Sequence, residues 1–281
     1  LRPHLVEYIP EGEYILREEM TPYGFLQSVD VPFSIVDTQV VQKAEMVDEI
    51  PAGRLELVKH DADDMAQTLH GAWFRLENKT LGTLWAEAVT DEQGRLAFSG
   101  MPIGYLDNQG KFSPYTYLCT EFQAAPGHML TLKPFEFQFE YQDEHTKTIV
   151  LPYDPVNDSN RVVVEKRLGA TEELLEGALL RLERKAEGQD IWELAEEWIS
   201  GKQPHMIRAL EAGEYRLREI QAPEGFTLLE EPFYFIVQDG MTEIPQLVMR
   251  NYASIVGVEK VNGTTGVLLG GARLELIRKS D

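Results

Sequence analysis

The sequence predicts an all-β chain built from tandem β-sandwich modules, and three observations carry that prediction. Short apolar-alternating runs such as RLELVK, GAWFRL, RLAFSG and PFYFIV are separated by turn material such as TDEQGR and APEGF, as strands joined by tight turns require. The stretch GEYRLREIQAPEGF (213–226) has a near twin in GEYILREEMTPYGF (12–25), and repetition at that distance marks a repeated module. A strand ending in lysine is written three times, as LELVK at Lys59, VVVEK at Lys166 and VGVEK at Lys260.

The twin stretches extend upstream in one register, with Pro3, His4, Gly12 and Tyr14 corresponding to Pro204, His205, Gly213 and Tyr215. A weaker third copy, YLCTEFQAAPGH, keeps Tyr117 and Glu121 at the same spacing. Downstream of each lysine comes a second shared template: LHGAWFRL (69–76), LEGALLRL (175–182) and LGGARLEL (269–276). One module is therefore a lysine strand, a GA strand, a tyrosine–glutamate strand and an apolar strand. Two complete modules are expected at 53–158 and 159–252, each near the size of a small domain. Residues 1–52 supply the later part of a preceding module, and 253–281 the opening strands of a following one. The segment DIWELAEEWIS carries a helix-like stripe at Ile191, Leu194, Ala195 and Trp198, but the repeat framework assigns it to strands.

Composition narrows the function classes. With 47 acidic against 26 basic residues, the formal charge of −21 disfavours nucleic acid and anionic membrane as partners. No apolar run is long enough to span a bilayer and no signal peptide opens the sequence, so export and anchoring signals are expected outside this segment. The single cysteine, Cys119, precludes an intrachain disulfide framework and reads as a core residue.

Strand parity identifies the candidate site, because residues two apart on a strand share a face. Glu219 shares its face with Leu217 and Tyr215, Glu121 with Cys119 and Tyr117, and Glu18 with Leu16 and Tyr14. Lys59 follows Leu57 and Leu55, Lys166 follows Val164 and Val162, and Lys260 follows Val258 and Val256. A lysine and a glutamate in each module thus point inward, where either charge alone is costly. An asparagine completes the set: Asn157 stands nine residues before Lys166, and Asn251 nine before Lys260.

These residues resemble the collagen-adhesin B-type domains, the pilin-like or SpaA-like arrays of Gram-positive cell-surface proteins. The motifs that carry the resemblance are the inward lysine strand, the GA strand, TDEQG (90–94) and GEYRLREIQAPEGF. The resemblance implies immunoglobulin-like or prealbumin-like β-sandwiches, each locked by a spontaneous isopeptide bond between the first-strand lysine and the last-strand asparagine, with the glutamate as catalyst. By position the triads would be Lys59, Glu121 and Asn157, then Lys166, Glu219 and Asn251. In the second of the four segments Pro152 and Pro155 fit poorly in a paired strand, which leaves Asp154 and Asn160 as rival acceptors. In the incomplete modules the corresponding residues are Glu18 and Asp48 at one end and Lys260 at the other.

Other motifs are weak. HDADD (60–64) lacks a full calcium-loop spacing, LPYDP (151–155) matches a sortase signal only in its first two residues, and the histidines show no zinc spacing. No metal or cofactor is expected, and the only chemistry is a single-turnover self-modification rather than enzyme turnover. The resemblance implies an extracellular, cell-wall-anchored surface protein whose modules form a structural stalk or shaft, with neighbouring modules of the same chain as partners. The alternative is an adhesin module that binds a host matrix protein or glycan, for which 188–204 and 106–114 are the candidate segments.

Overall fold

The computed structural model describes residues 4–37 and 40–279, and every regular element within them is a β-strand. Pro3 of the repeat match, and the outer ends of the expected frames 1–52 and 253–281, lie outside the described residues. In chain order the strands are β1 (Gly12–Leu16), β2 (Val31–Ile35), β3 (Ala52–Val58), β4 (His60–Asp61), β5 (Trp73–Asn78), β6 (Thr83–Val89) and β7 (Arg95–Pro102). They continue as β8 (Gly104–Leu106), β9 (Phe112–Pro114), β10 (Tyr117–Gln123), β11 (Phe135–Phe137), β12 (Thr148–Tyr153) and β13 (Val156–Asn157). The last are β14 (Val162–Leu168), β15 (Leu179–Lys185), β16 (Trp192–Ile199), β17 (His205–Ile207), β18 (Gly213–Gln221), β19 (Phe233–Val237) and β20 (Gln246–Asn251).

The chain divides into two compact units, Leu1–Val162 with Met206–Glu214 and Ile236–Pro245, and Val163–His205 with Tyr215–Phe235 and Gln246–Asp281. The first contains a four-stranded sheet in the order β11-β10-β5-β6 and a three-stranded sheet in the order β12-β3-β7. Alternation along the strands fills the space between them. Leu55 and Leu57 of β3, Phe74 and Leu76 of β5 and Tyr117 and Cys119 of β10 join Phe98, Phe137 and Phe139 in one buried cluster. Gly53 admits the Phe139 ring: a Cβ there would stand 2.2 Å from its Cε2.

Parallel pairing joins the first strand of this sandwich to its last. β12 pairs with β3, and the pairing resumes between β13 and β4 after Asp154 and Pro155. Pro152 is tolerated because β12 is the edge of its sheet, where a missing N–H leaves no ladder bond unmade. The TDEQG turn ends β6 and begins β7: Asp91 Oδ1 accepts from the Gln93 and Arg95 N–H groups, and Gly94 adopts φ 69°.

The second unit repeats the plan. Its four-stranded sheet runs β16-β15-β18-β19, and β14 pairs in parallel with β20. The ambiguous segment at 190–200 is the strand β16, paired along its length with β15 and carrying a bulge opposite Leu182 and Glu183. The residues of the helix-like stripe do not form one buried face: Ile191, Leu194 and Ala195 are exposed and Trp198 is half-buried. Residues 106–114 form a β-hairpin from β8 and β9, closed by Asp107. Residues 253–279 form no strand. Among the described residues no helix is long and apolar enough to cross a membrane.

Candidate functional site

Two buried constellations of lysine, glutamate and asparagine stand at corresponding places in the strand plan. In the first, Lys59 follows β3 directly, with its N–H donating to the Gly94 carbonyl at 2.8 Å and its carbonyl accepting from Leu69 N–H at 2.9 Å. The TDEQG turn and the start of the GA template thus fix the lysine backbone. Glu121 lies on β10 opposite Phe74 of β5, beside the bulge between Glu121 and Gln123. Asn157 ends β13 and is the parallel partner of Asp61, two residues past the lysine. Parity then brings lysine and asparagine side chains to the same face.

Lys59 and Asn157 are fully buried and Glu121 nearly so. Lys59 Nζ donates to Glu121 Oε2 at 3.2 Å, and Asn157 Nδ2 donates to the same oxygen at 2.8 Å. Asn157 Nδ2 also donates to Thr131 Oγ1 at 3.0 Å, and Lys59 Nζ sits 5.6 Å from the centre of the Phe74 ring. Burial pulls the Lys59 ammonium below its ordinary range, against the opposing pull of Glu121. Burial likewise pushes the Glu121 carboxyl up, against the opposing effects of Lys59 and Asn157. Both shifts favour moving the proton from the amine to the carboxyl.

The second constellation repeats the geometry. Lys166 lies inside β14, Asn251 ends β20, and Asn251 is the parallel partner of Leu168, again two residues past the lysine. Glu219 of β18 is paired with Leu180 of β15, the residue corresponding to Phe74 in the GA template. Lys166 Nζ approaches Glu219 Oε1 at 3.0 Å as an ion pair without hydrogen-bond alignment. Asn251 Nδ2 donates to Glu219 Oε2 at 2.9 Å and to the Thr227 carbonyl at 2.8 Å. Burial lowers the Lys166 ammonium as it does that of Lys59. In both sites one carboxylate oxygen and the asparagine Oδ1 are buried without a hydrogen-bond partner.

The rival acceptors are placed elsewhere. Asp154 is largely exposed and 3.9 Å from His60, and Asn160 Nδ2 donates to Asp239 at 3.1 Å. The HDADD carboxylates are engaged locally: Asp61 accepts from Asp63 N–H and lies 3.3 Å from His128, while Asp63 binds Ser159, Arg161 and Arg208. Among the described residues no cluster of histidine, cysteine and acidic side chains is arranged to hold a metal. Cys119 is buried beside Glu121, and burial pushes its thiol up to about 12.

In the N-terminal segment Glu18 Oε2 accepts from Ser28 N–H at 2.9 Å, and burial and the neighbouring Glu18 raise the Asp48 carboxyl. Lys260 is exposed. Sequence reasoning missed the residues that hold the glutamates: Glu219 accepts from Leu229 N–H at 2.7 Å, ten residues on, and Glu18 from Ser28 at the same separation. Thr131 is the equivalent group for Glu121. The constant distance from the glutamate to the chain beyond the APEGF-type turn was the available signal.

The profile of the SpaA prealbumin-like fold domain matches residues 160–251, which include Lys166, Glu219 and Asn251. A search among curated protein sequences finds no match. Among solved structures, the Bacillus anthracis TIE protein is similar with a TM-score of 0.50 and 21% identity over 86% of this chain. This chain spans only 42% of that protein. A Streptococcal ancillary pilin is 21% identical over 88% of this chain and 76% of its own, with a TM-score of 0.33. The shaft pilin spaA from Lactobacillus rhamnosus GG is 17% identical over 74% of this chain and 100% of its own, with a TM-score of 0.32. At these identities the likeness, carried by the TIE protein, is one of β-sandwich fold.

Proposed function

We propose that this chain is part of the stalk of a Gram-positive surface protein, stiffened by amide bonds between Lys59 and Asn157 and between Lys166 and Asn251. The observation that carries it is the bridging of Glu121 Oε2, 3.2 Å from the lysine nitrogen and 2.8 Å from the amide nitrogen that would leave. Proton transfer from Lys59 to Glu121 yields a neutral amine and a carboxylic acid. The amine attacks Asn157 Cγ, the Cγ–Nδ2 bond breaks, and Glu121 passes a proton from the attacking to the departing nitrogen, which leaves as ammonia. With the amine and the amide both gathered on Glu121 Oε2 in a buried site, the reaction would gain the proximity that an amide in water lacks. Glu219 does the same with its two oxygens divided between Lys166 and Asn251.

The mechanical consequence follows from the strand plan. Each bond joins the first strand of a sandwich to its last, so tension applied through the chain ends crosses the module by the amide bond and bypasses the sheets. A chain of such modules is inextensible, as a surface stalk requires. The excess of acidic residues keeps such an extended protein soluble. Single-molecule stretching tests the proposal: the native chain should show no extension from residues 59–157 or 166–251, and the Glu121→Ala, Glu219→Ala variant should release both. Full unfolding of both modules in the native chain would contradict it.

A further inference from the structure

The stretch 127–131 ends in Thr131, whose hydroxyl accepts from Asn157 Nδ2 at 3.0 Å, and two other stretches hold it in place. One is the chain around Asn157 itself. Met129 N–H donates to the Asp158 carbonyl at 2.9 Å, Asn160 N–H to the Gly127 carbonyl at 2.8 Å, and Thr131 Oγ1 to the Val156 carbonyl at 3.1 Å. The other is distant in sequence. Gly127 N–H donates to Asp239 Oδ1 at 2.7 Å, Gly240 N–H to the His128 carbonyl at 2.8 Å, and Leu130 N–H to the Met241 carbonyl at 3.0 Å. Asp239 Oδ1 also accepts from Asn160 Nδ2 at 3.1 Å, so one carboxylate oxygen ties residue 127 to residue 160.

A second distant segment, 208–210, holds the chain just beyond each reacting residue. Arg208 donates to Asp63 Oδ1 at 2.6 Å, Ala209 N–H to Ser159 Oγ at 3.2 Å, and Leu210 N–H to the Asn160 carbonyl at 3.0 Å. Ser159 Oγ in turn donates to Asp63 Oδ2 at 2.6 Å, and Arg161 donates to the same oxygen at 2.7 Å. Asp63 stands four residues after Lys59, and Ser159 two after Asn157. The network therefore pins together the chain leaving β4 and the chain leaving β13, the parallel pair that sets asparagine and lysine on one face. All of these contacts lie within the first unit, to which 206–214 and 236–245 belong although much of the second unit precedes them in sequence.

We infer that segments 208–210 and 239–241 are positioning elements for the Lys59–Asn157 bond, which closes only when both have docked in the first unit. The inference rests on the bond formation proposed above, in which the Lys59 amine attacks Asn157 Cγ and ammonia leaves. Thr131 receives the amide nitrogen that departs, so its stretch and the Asn157 backbone must be fixed together. Without 239–241 the Gly127 and Leu130 N–H groups and the His128 carbonyl lose their partners, and buried backbone groups shift to find others. Without 208–210 the Asp63 and Ser159 corner loses one of its cations and a backbone donor. Either loss moves the acceptor relative to the amine, and a misplacement of about 1 Å costs about a hundredfold in rate. The consequence is an order of events: residues 59–157 need more than themselves to close their own cross-link, which waits for the chain as far as Met241.

The test follows both cross-links in full-length chains made by cell-free synthesis, quenched in denaturant at intervals and peptide-mapped. In Asp239→Ala the Lys59–Asn157 link should form about a hundredfold more slowly than in the native chain, while Lys166–Asn251 forms at the native rate. Asp239→Asn keeps an Oδ1 that accepts from Gly127 and Asn160, and should restore the first link to its native rate. Arg208→Gln, at a half-exposed side chain, should slow the first link and spare the second through a contact independent of Asp239. Native rates for the first link in every variant, or equal slowing of both links in Asp239→Ala and Arg208→Gln, would overturn the inference. Absence of the first link from the folded native chain would instead contradict the bond-forming reading, and the inference with it.

Discussion

Asp61 and Asn157 are partners in a parallel pair of strands, and that pairing sets the Asn157 side chain on the face that Lys59 occupies. The lysine precedes Asp61 by two residues, so asparagine and lysine share a face and Glu121 reaches both. Leu168 and Asn251 repeat the relationship around Lys166.

On the proposed reading the acceptor position is specific to that register. Asn157→Asp should still join Lys59, releasing water in place of ammonia, so the final mass should equal that of the native chain. Asn157→Ala should leave Lys59 free. Mapping of Lys59 to Asp154 or Asn160 in either chain would show the register argument to be wrong.

Glu219→Gln should abolish the Lys166–Asn251 bond while leaving the other intact, and should strand a buried ammonium. Removing one partner of a buried ion pair costs about 3–5 kcal/mol. Losing a cross-link that closes a loop of about 100 residues removes about 4.7 kcal/mol of chain-entropy stabilisation. The two costs overlap in origin and should not be added. Denaturant unfolding of the second unit should therefore shift by several kcal/mol, and a shift below 1 kcal/mol would argue against both roles.

The rate of bond formation should have two pH limbs. The reacting pair, neutral amine with protonated carboxyl, holds as many protons as the ion pair, so its population is flat between the limbs. Below the acid limb both groups are protonated and no amine is free; above the alkaline limb both are deprotonated and no acid remains. Burial raises Glu121 and lowers Lys59, which draws both limbs toward neutrality from the ordinary carboxyl and ammonium ranges. Chains recovered unfolded and folded by dilution across a pH series, with bond formation read by mass, would show this. A rate that keeps rising to strongly alkaline pH would contradict the need for the acid.

Gly53→Ala tests the core that desolvates the first site. The new Cβ would fall 2.2–2.5 Å from three atoms of the Phe139 ring. Overpacking of this kind costs about 1–3 kcal/mol. Phe139→Leu in the same chain should recover part of it, and an unchanged melting temperature in the single variant would refute the packing.

The fold and the inward faces were legible because both depend on alternation. Leu55, Leu57 and Lys59 are buried in sequence steps of two, as are Tyr117, Cys119 and Glu121. Repetition resolved what alternation left ambiguous at 190–200, where β16 carries a bulge opposite Leu182 and Glu183. Neither signal could say which of Asn157, Asp154 and Asn160 stands beside Glu121. That placement depends on how the chain passes Pro155 and resumes pairing at β13, a matter of long-range register. Thr131, Thr227 and Leu229 were invisible for a similar reason: they act through positions on loops, and Thr227 and Leu229 through backbone atoms that carry no side-chain signature.

Intact-mass spectrometry of the folded, monomeric chain tests the central claim most directly. Two amide bonds predict a mass lower than that of the sequence by two molecules of ammonia, with Lys59 joined to Asn157 and Lys166 to Asn251 in the peptide map. Folded protein at the unmodified sequence mass would contradict the account.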